Sequence, residues 1–385
     1  PYTTLFRSAF YQSKDNSDKF LEQLGNLGPL TPLVQDPSIN DILVNGYKNV
    51  FIERYGRVQR ADVKFNNDEE VLKIAVSIAQ TIGRKLSPNR PLVDARLLDG
   101  SRVNIIAPPL AVDGPSISIR KFSKTPITLD MMAQNKNVSA SLAEVLKVCG
   151  ACRLNVIISG GTGAGKTTLL NAIARSIHDE ERLVTVEDAA ELKLEQPNLV
   201  RLETKPFEIG RPHYEEVTIR DLVKNALRMR PDRIIVGEVR GAEAFDMMQA
   251  MNTGHEGYMT TIHANHPRDA LSRLENMIMM ADLGLPLKAI RYQVASAINL
   301  IVQISRMRDG VRRVTNISEV VGMEGEVVTM QDLFVYQQDG GLDKEGKLIG
   351  KFKWTGIVPR FVRRVAYWGY QDQLAKALGI ELPKI

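Results

Sequence analysis

The chain has 385 residues, of which 44% are hydrophobic and 25% are charged, a composition that is ordinary for a globular protein. Its formal net charge of +5 reflects 50 Lys and Arg against 45 Asp and Glu, an excess too mild to indicate a nucleic-acid-binding protein by itself. Two cysteines exclude a disulfide scaffold, and no apolar run reaches the roughly 18 residues that a membrane span requires. The length predicts two or three domains, and the cysteine usage fits a reducing cytoplasm.

The first part of the chain predicts a small α+β domain. Residues 1–30 form a lead-in that we expect to be partly non-native or helical. Short strand-like segments follow, among them Asp62–Phe65, and a helix is predicted to begin after the N-cap residue Asn67. The pair Asp99-Gly100 predicts a hairpin turn between two further strands. These elements predict an N-terminal domain at residues 31–125.

Beyond a linker near Pro126, apolar strands alternate with longer helices, a pattern that predicts a parallel sheet of the α/β class. We therefore predict a second domain at residues 126–385. From about residue 309 the pattern changes to polar and apolar alternation, which predicts an antiparallel C-terminal extension. A helix is predicted near the end, at Gln371–Leu378.

One stretch of the second domain fits the phosphate-binding pattern G-x-x-x-x-G-K-[ST]. Glycines let the backbone wrap closely around a phosphate, and the helix that follows presents free N–H groups to an anion. Lys166 adds a positive charge, and the Thr167 hydroxyl can ligate Mg²⁺. A short apolar strand precedes the loop, as this chemistry requires. The predicted nucleotide-binding residues are Gly160, Gly161, Thr162, Gly163, Ala164, Gly165, Lys166, Thr167 and Thr168.

Two further apolar strands end in acidic residues. The carboxyl ends of parallel strands share one edge of a sheet, which is where ligands bind. Glu238 ends one strand and is predicted to join Thr167 in holding Mg²⁺ or to polarise water. Glu187 ends another and is predicted to activate the attacking water, whereas Asp188 is equally well explained as a helix or turn cap.

The histidines and cysteines are candidate phosphate sensors or metal ligands. His255 and His263 flank a predicted strand and are interpreted as γ-phosphate sensors. His266 lies just beyond, but no cysteine joins the three, so a zinc site is disfavoured and a surface position is the better interpretation. Cys149 and Cys152 have C-x-x-C spacing without further ligands nearby, which favours two buried thiols.

Phosphoryl transfer also gains from an arginine that neutralises charge in the transition state. Arg102 and Arg120, on predicted strands of the first domain, are candidates, although a solvated surface position explains each equally well. Arg230 and Arg240, which flank the strand that ends in Glu238, are further candidates.

Four stretches together resemble the GspE-like superfamily of ATPases of type II and type IV secretion and of type IV pili. They correspond to its Walker A, Asp box, Walker B and His box, and read GGTGAGKTT, VTVEDAAEL, RIIVGEVRG and TGHEGYMTTIHAN. The sequences of these motifs are most similar to those of the CpaF/TadA branch, whose members resemble motors of tight-adherence (type IVc) pili. The resemblance covers roughly residues 30–335.

The resemblance implies a PAS-like N-terminal domain and a RecA-like P-loop NTPase domain, with ATP and Mg²⁺ in the cleft between them. It implies that Glu187 is the catalytic glutamate and that Glu238 lies on the Mg²⁺ shell. Lys166 would act in catalysis, and Arg102 and Arg120 would contact the nucleotide.

As a function, the resemblance implies a homohexameric ATP-hydrolysing motor that powers assembly of a tight-adherence pilus or a related secretion system, with retraction left open. Its partners would be inner-membrane platform proteins at the cytoplasmic face, with no nucleic acid. The alternative is a RecA-like nucleic-acid-translocating or DNA-transfer ATPase. The net charge of +5 and the lack of a long basic, aromatic-interleaved stripe make this alternative less favoured.

Overall fold

The structure, a computed structural model, describes residues 27–54, 56–97, 100–121, 126–205 and 216–382. The chain divides into two units, and the division falls between Thr125 and Pro126. The predicted turn residue Asp99 and most of the predicted lead-in lie outside the described residues.

The first unit combines an antiparallel sheet with short and long helices. Its strands are β1 (Ile39–Asn45), β2 (Asn49–Arg54), β3 (Arg57–Arg60), β4 (Leu92–Arg96), β5 (Arg102–Ile106) and β6 (Ser116–Arg120). Its helices are a 3-10 turn (Gly28–Leu30), α1 (Thr31–Gln35) and α2 (Asp68–Thr81). The six strands lie in the order β3-β2-β1-β6-β5-β4, and every neighbouring pair is antiparallel.

Helix α2 begins where the sequence predicts, because the Asn67 side chain accepts a hydrogen bond of 3.0 Å from the backbone N–H of Glu70. Its apolar stripe packs on the core of this unit. The prediction of a strand at Asp62–Phe65 is wrong, because the strand in this part of the chain is β3, which ends at Arg60. Phe65 belongs to an irregular segment, and its side chain is buried in the core. The alternation therefore reflects burial of side chains and not pairing with a neighbouring strand.

The second unit contains one large mixed sheet and helices on both of its faces. Its strands are β7 (Val156–Gly160), β8 (Leu183–Glu187), β9 (Leu199–Glu203), β10 (Arg233–Val236), β11 (Met259–His263), β12 (Leu300–Arg306), β13 (Arg312–Glu324), β14 (Val327–Leu342) and β15 (Leu348–Trp354). Its helices are α3 (Leu129–Gln134), α4 (Ala140–Ala151), α5 (Lys166–Ala174), α6 (Ile219–Ala226), α7 (Glu243–Asn252), α8 (Pro267–Met279), α9 (Leu287–Ala297), α10 (Val362–Tyr367) and α11 (Gln371–Leu378).

The nine strands lie in the order β15-β14-β13-β12-β7-β11-β10-β8-β9. From β12 to β9 all neighbours are parallel, and β13 to β15 extend the sheet in antiparallel fashion. Every residue of β7 is buried. Val156 and Ile158 pack on the face covered by α3, α4, α5, α10 and α11, whereas Ile157 packs on the face covered by α6 to α9. The carboxyl ends of β7, β8, β10 and β11 therefore meet at one edge.

The C-terminal extension is larger than the sequence predicts. Alternation at Arg312–Val321 and Val327–Gln337 predicts two strands that correspond to β13 and β14, but β14 runs on to Leu342 and β15 is not predicted. Helix α11 has the predicted bounds, Gln371–Leu378. In the described part of the chain, no helix is both long and apolar enough to cross a membrane.

Candidate active site

The loop between β7 and α5 owes its shape to glycines. Gly163 and Gly165 have φ angles of +68° and +98°, in the left-handed region that favours glycine. A Cβ on Gly160 would lie 2.4 Å from the Ile304 carbonyl oxygen, so β7 can approach β12 only without a side chain there. Apart from each glycine and its two chain neighbours, no described atom lies within 4 Å of the place a Cβ on Gly161 or Gly163 would occupy. The outer part of the loop therefore has room for a ligand.

A chain of polar contacts runs from the loop across the sheet edge. The Lys166 ammonium donates to the Gly161 carbonyl at 3.1 Å and lies 3.3 Å from both ring nitrogens of His263. His263 Nε2 lies 3.0 Å from Glu238 Oε1. The Arg240 guanidinium donates to the other Glu238 oxygen at 2.7 Å. The structure thus brings Lys166, Glu238 and His263 together, as predicted.

The electrostatics of these polar contacts favour a neutral His263 between charged neighbours. Burial and the charge of Lys166 lower the pKa of His263, and burial also lowers the pKa of Lys166. Burial alone would raise the pKa of Glu238, but the hydrogen bond and charge of Arg240 outweigh it and lower that pKa. A neutral His263 has one ring nitrogen that can accept from Lys166, which lies equally far from both nitrogens, and the 3.0 Å contact of its Nε2 with Glu238 is not a hydrogen bond.

Glu187 lies at the end of β8 and is only 3% exposed. Its Oε1 accepts backbone N–H groups of Glu191 and Leu192 at 2.9 and 3.0 Å, while Oε2 is buried without a hydrogen-bond partner among the described residues. Burial outweighs these two hydrogen bonds and raises the pKa of Glu187 to about 7. A carboxylate with one unused oxygen and a pKa near neutrality suits a general base.

Two contacts around these acids were not predicted. A Cβ on Gly237 would lie 2.9 Å from Glu187 Cγ, so the segment that leads from β10 to Glu238 must pass Glu187 without a side chain. Arg240 was predicted only as an arginine-finger candidate, but it pairs with Asp188 at 3.3 Å as well as with Glu238. Asp188 therefore extends the series of polar contacts that runs from Lys166 to Arg240. The only sequence signal for this was the short spacing from Glu238 to Arg240.

The structure does not bring His255 to the loop, and that prediction is corrected. His255 precedes β11, whose first residue Met259 pairs with Val156 at the start of β7, whereas His263 pairs with Gly160 at its end. A strand of five residues is about 13 Å long, so residues that flank it lie at opposite edges of the sheet. His266 is the exposed N-cap residue of α8, in agreement with a surface position.

Comparison with known proteins places this arrangement in a family. Residues 23–340 match the model of the family described as type II/IV secretion system protein. The chain belongs to this family. It is 35% identical over 329 residues to a putative conjugal transfer protein of Mycobacterium tuberculosis, covering 84% of this chain and 92% of that protein. It is 33% identical over 322 residues to the type IV secretion system protein VirB11 of Brucella suis, covering 77% and 88%.

A solved structure supports the fold of this secretion-family chain. The X-ray structure of the ATPase DotB of Yersinia pseudotuberculosis gives a TM-score of 0.53 at 18% identity, over 73% of this chain and 75% of that one. At that identity the likeness concerns the fold alone.

The arginine candidates of this secretion-family protein lie in different places. Arg102 and Arg120 are cross-strand neighbours on β5 and β6, and Arg120 Nε donates to Asp41 Oδ1 at 3.1 Å. The structure brings these two to each other within the first unit, and their contact with a nucleotide stays a prediction. Arg230 is exposed and precedes β10, so it lies at the edge away from the loop.

The donor set fits a magnesium-bound nucleotide better than a closed metal site. Within the described residues, no group of three or more His, Cys, Asp and Glu side chains is placed to hold a metal ion. Mg²⁺ in phosphate sites needs only one or two protein oxygens besides phosphate oxygens and waters. Thr167, in the first turn of α5, and Glu238 are the residues that would supply them. Cys149 and Cys152 are buried free thiols, and burial raises the pKa of Cys152 to about 12.

Proposed function

We propose that this secretion-family chain hydrolyses ATP with Mg²⁺ and uses the energy as a motor. The observation that carries the proposal is the chain of contacts from Lys166 through His263 to Glu238 at the mouth of the loop. The loop N–H groups and Lys166 bind the phosphates, and Thr167 and Glu238 would hold Mg²⁺, which neutralises phosphate charge. Glu187 takes the proton from the attacking water through its unused oxygen.

The finer assignment is a RecA-like motor domain, preceded by a PAS-like domain, in a homohexameric ring. The sheet order supports the first part, because β11 lies between the loop strand β7 and the strand that leads to Glu238. Arg102 and Arg120 are directly opposite each other on β5 and β6, so both project from one face of that sheet, and two arginines on one face suit a phosphate of a bound nucleotide. We propose that the ring powers a tight-adherence pilus or related secretion system, at the cytoplasmic face of the inner membrane, through platform proteins.

The catalytic part is tested by steady-state ATP hydrolysis of the full chain. Lys166→Ala and Glu238→Gln are each expected to lower turnover by at least about 100-fold, because each removes charge stabilisation of the transferred phosphoryl group. Lys288→Ala, at an exposed position of α9, serves as the matched control and should retain wild-type turnover. Wild-type turnover in either site variant would refute the site.

The ring is tested by light scattering with and without a non-hydrolysable ATP analogue. We expect a hexamer at least in the presence of the analogue. Arg102→Ala and Arg120→Ala should lower turnover without abolishing ATP binding to Lys166 and the loop. A stable monomer under both conditions would refute the ring.

A DNA-transfer motor is the second candidate, and the similarity to a protein named for conjugal transfer favours it. It requires binding to single-stranded DNA that weakens steeply with salt, together with DNA-stimulated hydrolysis. A filter-binding assay at 50 and 200 mM salt tests this directly. In a strain without its own copy of this chain, counts of surface pili and conjugation frequency then separate the two roles.

A further inference from the structure

Arg312 reaches the phosphate loop from outside the four motif stretches. It is the first residue of β13, and its Nε donates to the Gly163 carbonyl at 2.9 Å. Its stem also packs on the loop, since Arg312 Cδ lies 3.2 Å from where a Cβ on Gly165 would be. The side chain therefore contacts the two glycines of the loop that have positive φ angles.

The neighbouring residue determines which way Arg312 points. The Arg313 side chain is only 4% exposed and donates to both oxygens of Asp309 at 3.0 and 2.8 Å. Successive side chains of a strand point to opposite faces, so the buried Arg313 pair places Arg312 on the face that carries the loop. Asp309 also accepts the Leu348 N–H at 2.8 Å, which ties β15 to the same turn.

The backbone of Arg312 is fixed as well. Asn137, in the connection between α3 and α4, donates its side-chain amide to the Arg312 carbonyl at 2.6 Å. Its own carbonyl accepts the N–H of Val314 at 3.0 Å. Two hydrogen bonds to Asn137 thus hold the strand directly after Arg312, so its side chain has an anchored base from which to hold the loop.

We propose that Arg312 is a positioning residue of the nucleotide site, through which the antiparallel extension fixes the phosphate loop. By holding the Gly163 carbonyl on the outer side, it keeps the adjacent N–H groups turned toward the phosphates. Glycines in the left-handed region are conformationally permissive, so a loop built on Gly163 and Gly165 gains affinity from such preorganisation. This inference rests on the proposed function only in taking the ligand to be a nucleotide.

The test compares three variants of the full chain. Arg312→Met keeps the stem that packs on Gly165 but removes the donor and the charge, whereas Arg312→Lys keeps both. Arg306→Met is the matched control, since Arg306 is the exposed cross-strand partner of Arg312 on β12. The readouts are KM and kcat for ATP hydrolysis and the Kd of ADP.

Arg312→Met is expected to raise both KM for ATP and Kd of ADP by about tenfold, the effect of losing one charge-assisted hydrogen bond. The kcat should stay within about twofold, because the loop backbone that Arg312 positions, unlike Lys166, binds ground state and transition state alike. Arg312→Lys should recover most of the affinity, and Arg306→Met should match the wild type.

Amide hydrogen exchange in the absence of nucleotide gives a readout that does not depend on ligand. Residues 161–165 should exchange faster in Arg312→Met than in the wild type and the control. Unchanged affinity and exchange in Arg312→Met, or a fall in kcat at constant KM, would overturn the positioning role. If the wild type binds neither ATP nor ADP, the proposed function fails, and loop exchange still decides whether Arg312 holds the loop.

Discussion

The nine-stranded sheet carries charged side chains where its parallel strands begin (the amino edge) and where they end (the carboxyl edge). The two clusters differ in how completely they are hydrogen-bonded. At the amino edge, the Arg233 side chain is fully buried and donates four hydrogen bonds. Glu181 accepts two of them, at 2.8 and 2.6 Å, and the carbonyls of Gly150 and Ala151 accept the others. Arg153 Nε adds an ion pair to Glu181 at 3.0 Å, although its angle is too poor for a hydrogen bond.

At the carboxyl edge, some of the charged groups of the described residues have an oxygen that lacks a hydrogen-bond partner or have shifted pKa values. Glu187 has an unpartnered oxygen and a raised pKa, and the pKa values of Lys166 and His263 are lowered. The buried Arg233–Glu181 pair is held by hydrogen bonds and stabilises the fold, whereas a carboxylate with an unpartnered oxygen and a shifted pKa marks a place for chemistry. The number of buried charges therefore does not locate the site, but a buried carboxylate with both an unpartnered oxygen and a pKa raised to about 7 does.

The largest expected effect comes from Glu187→Gln at the carboxyl edge. Glutamine retains an oxygen for the N–H groups of Glu191 and Leu192 but cannot accept the proton of the attacking water. Turnover should fall by about 10²–10⁴-fold, while nucleotide affinity stays within about threefold. Single-turnover hydrolysis and equilibrium nucleotide binding measure the two quantities. A variant that retains a tenth or more of wild-type turnover would remove Glu187 from the role of base.

The same substitution at the amino edge, Glu181→Gln, should have the opposite profile. It leaves the buried Arg233 without its charge partner, so the free energy of unfolding should fall by about 3–5 kcal/mol. Turnover per folded molecule should stay within about twofold of wild type. Denaturant unfolding monitored by circular dichroism measures the first quantity, with Glu195→Gln at an exposed ion pair as control. An unchanged midpoint would contradict the structural role of the cluster.

Glu187 should also make both turnover and stability depend on pH. Burial raises the pKa of Glu187 from 4.5 to about 7, so ionised base accumulates, and turnover rises, as pH increases from 6 to 8. Between these two pKa values the folded state binds a proton that the unfolded state has lost. This contribution to stability is therefore full below 4.5 and lost as pH rises through about 7.

Glu187→Gln should abolish that pH dependence and stabilise the protein at pH 8 by on the order of 1–3 kcal/mol, because a neutral amide replaces a buried carboxylate. Thermal unfolding of both proteins from pH 5 to pH 8 measures it. Parallel curves for the two proteins would show that Glu187 ionises freely in the folded state.

Much of the site was predictable because its signals are local or follow from strand topology. The loop residues Lys166 and Thr167 are adjacent in a recognisable pattern. Glu187 and His263 were predicted because each ends an apolar strand and parallel strands share an edge. Arg312 was not predictable, because its contact depends on β13 pairing with β12 at a register that includes a bulge between Gln303 and Ile304. Periodicity does not reveal such a register.

The fold shows the same division. The beginning of α2 follows from the Asn67 cap, and the bounds of α11 follow from its own periodicity, both local properties. Strand β15 depends on a partner, β14, that runs further than its alternation indicates. Phe65 reads as part of a strand because it is buried, although no ladder passes through it.

The two histidines that flank β11 lie at opposite edges of the sheet, and substituting them should give the smallest of the expected effects. His263 contacts both the Lys166 ammonium and the Glu238 carboxylate, so His263→Ala should lower turnover by about tenfold through loss of an oriented polar group. His255→Ala should leave the Kd of ATP within about twofold, because the strand separates it from the loop of its own chain. Equilibrium binding with a fluorescent ATP analogue checks the second expectation. If His255→Ala weakens binding as strongly as Lys166→Ala does, His255 acts on the nucleotide after all, and only a neighbouring copy of the chain could then present it to the loop.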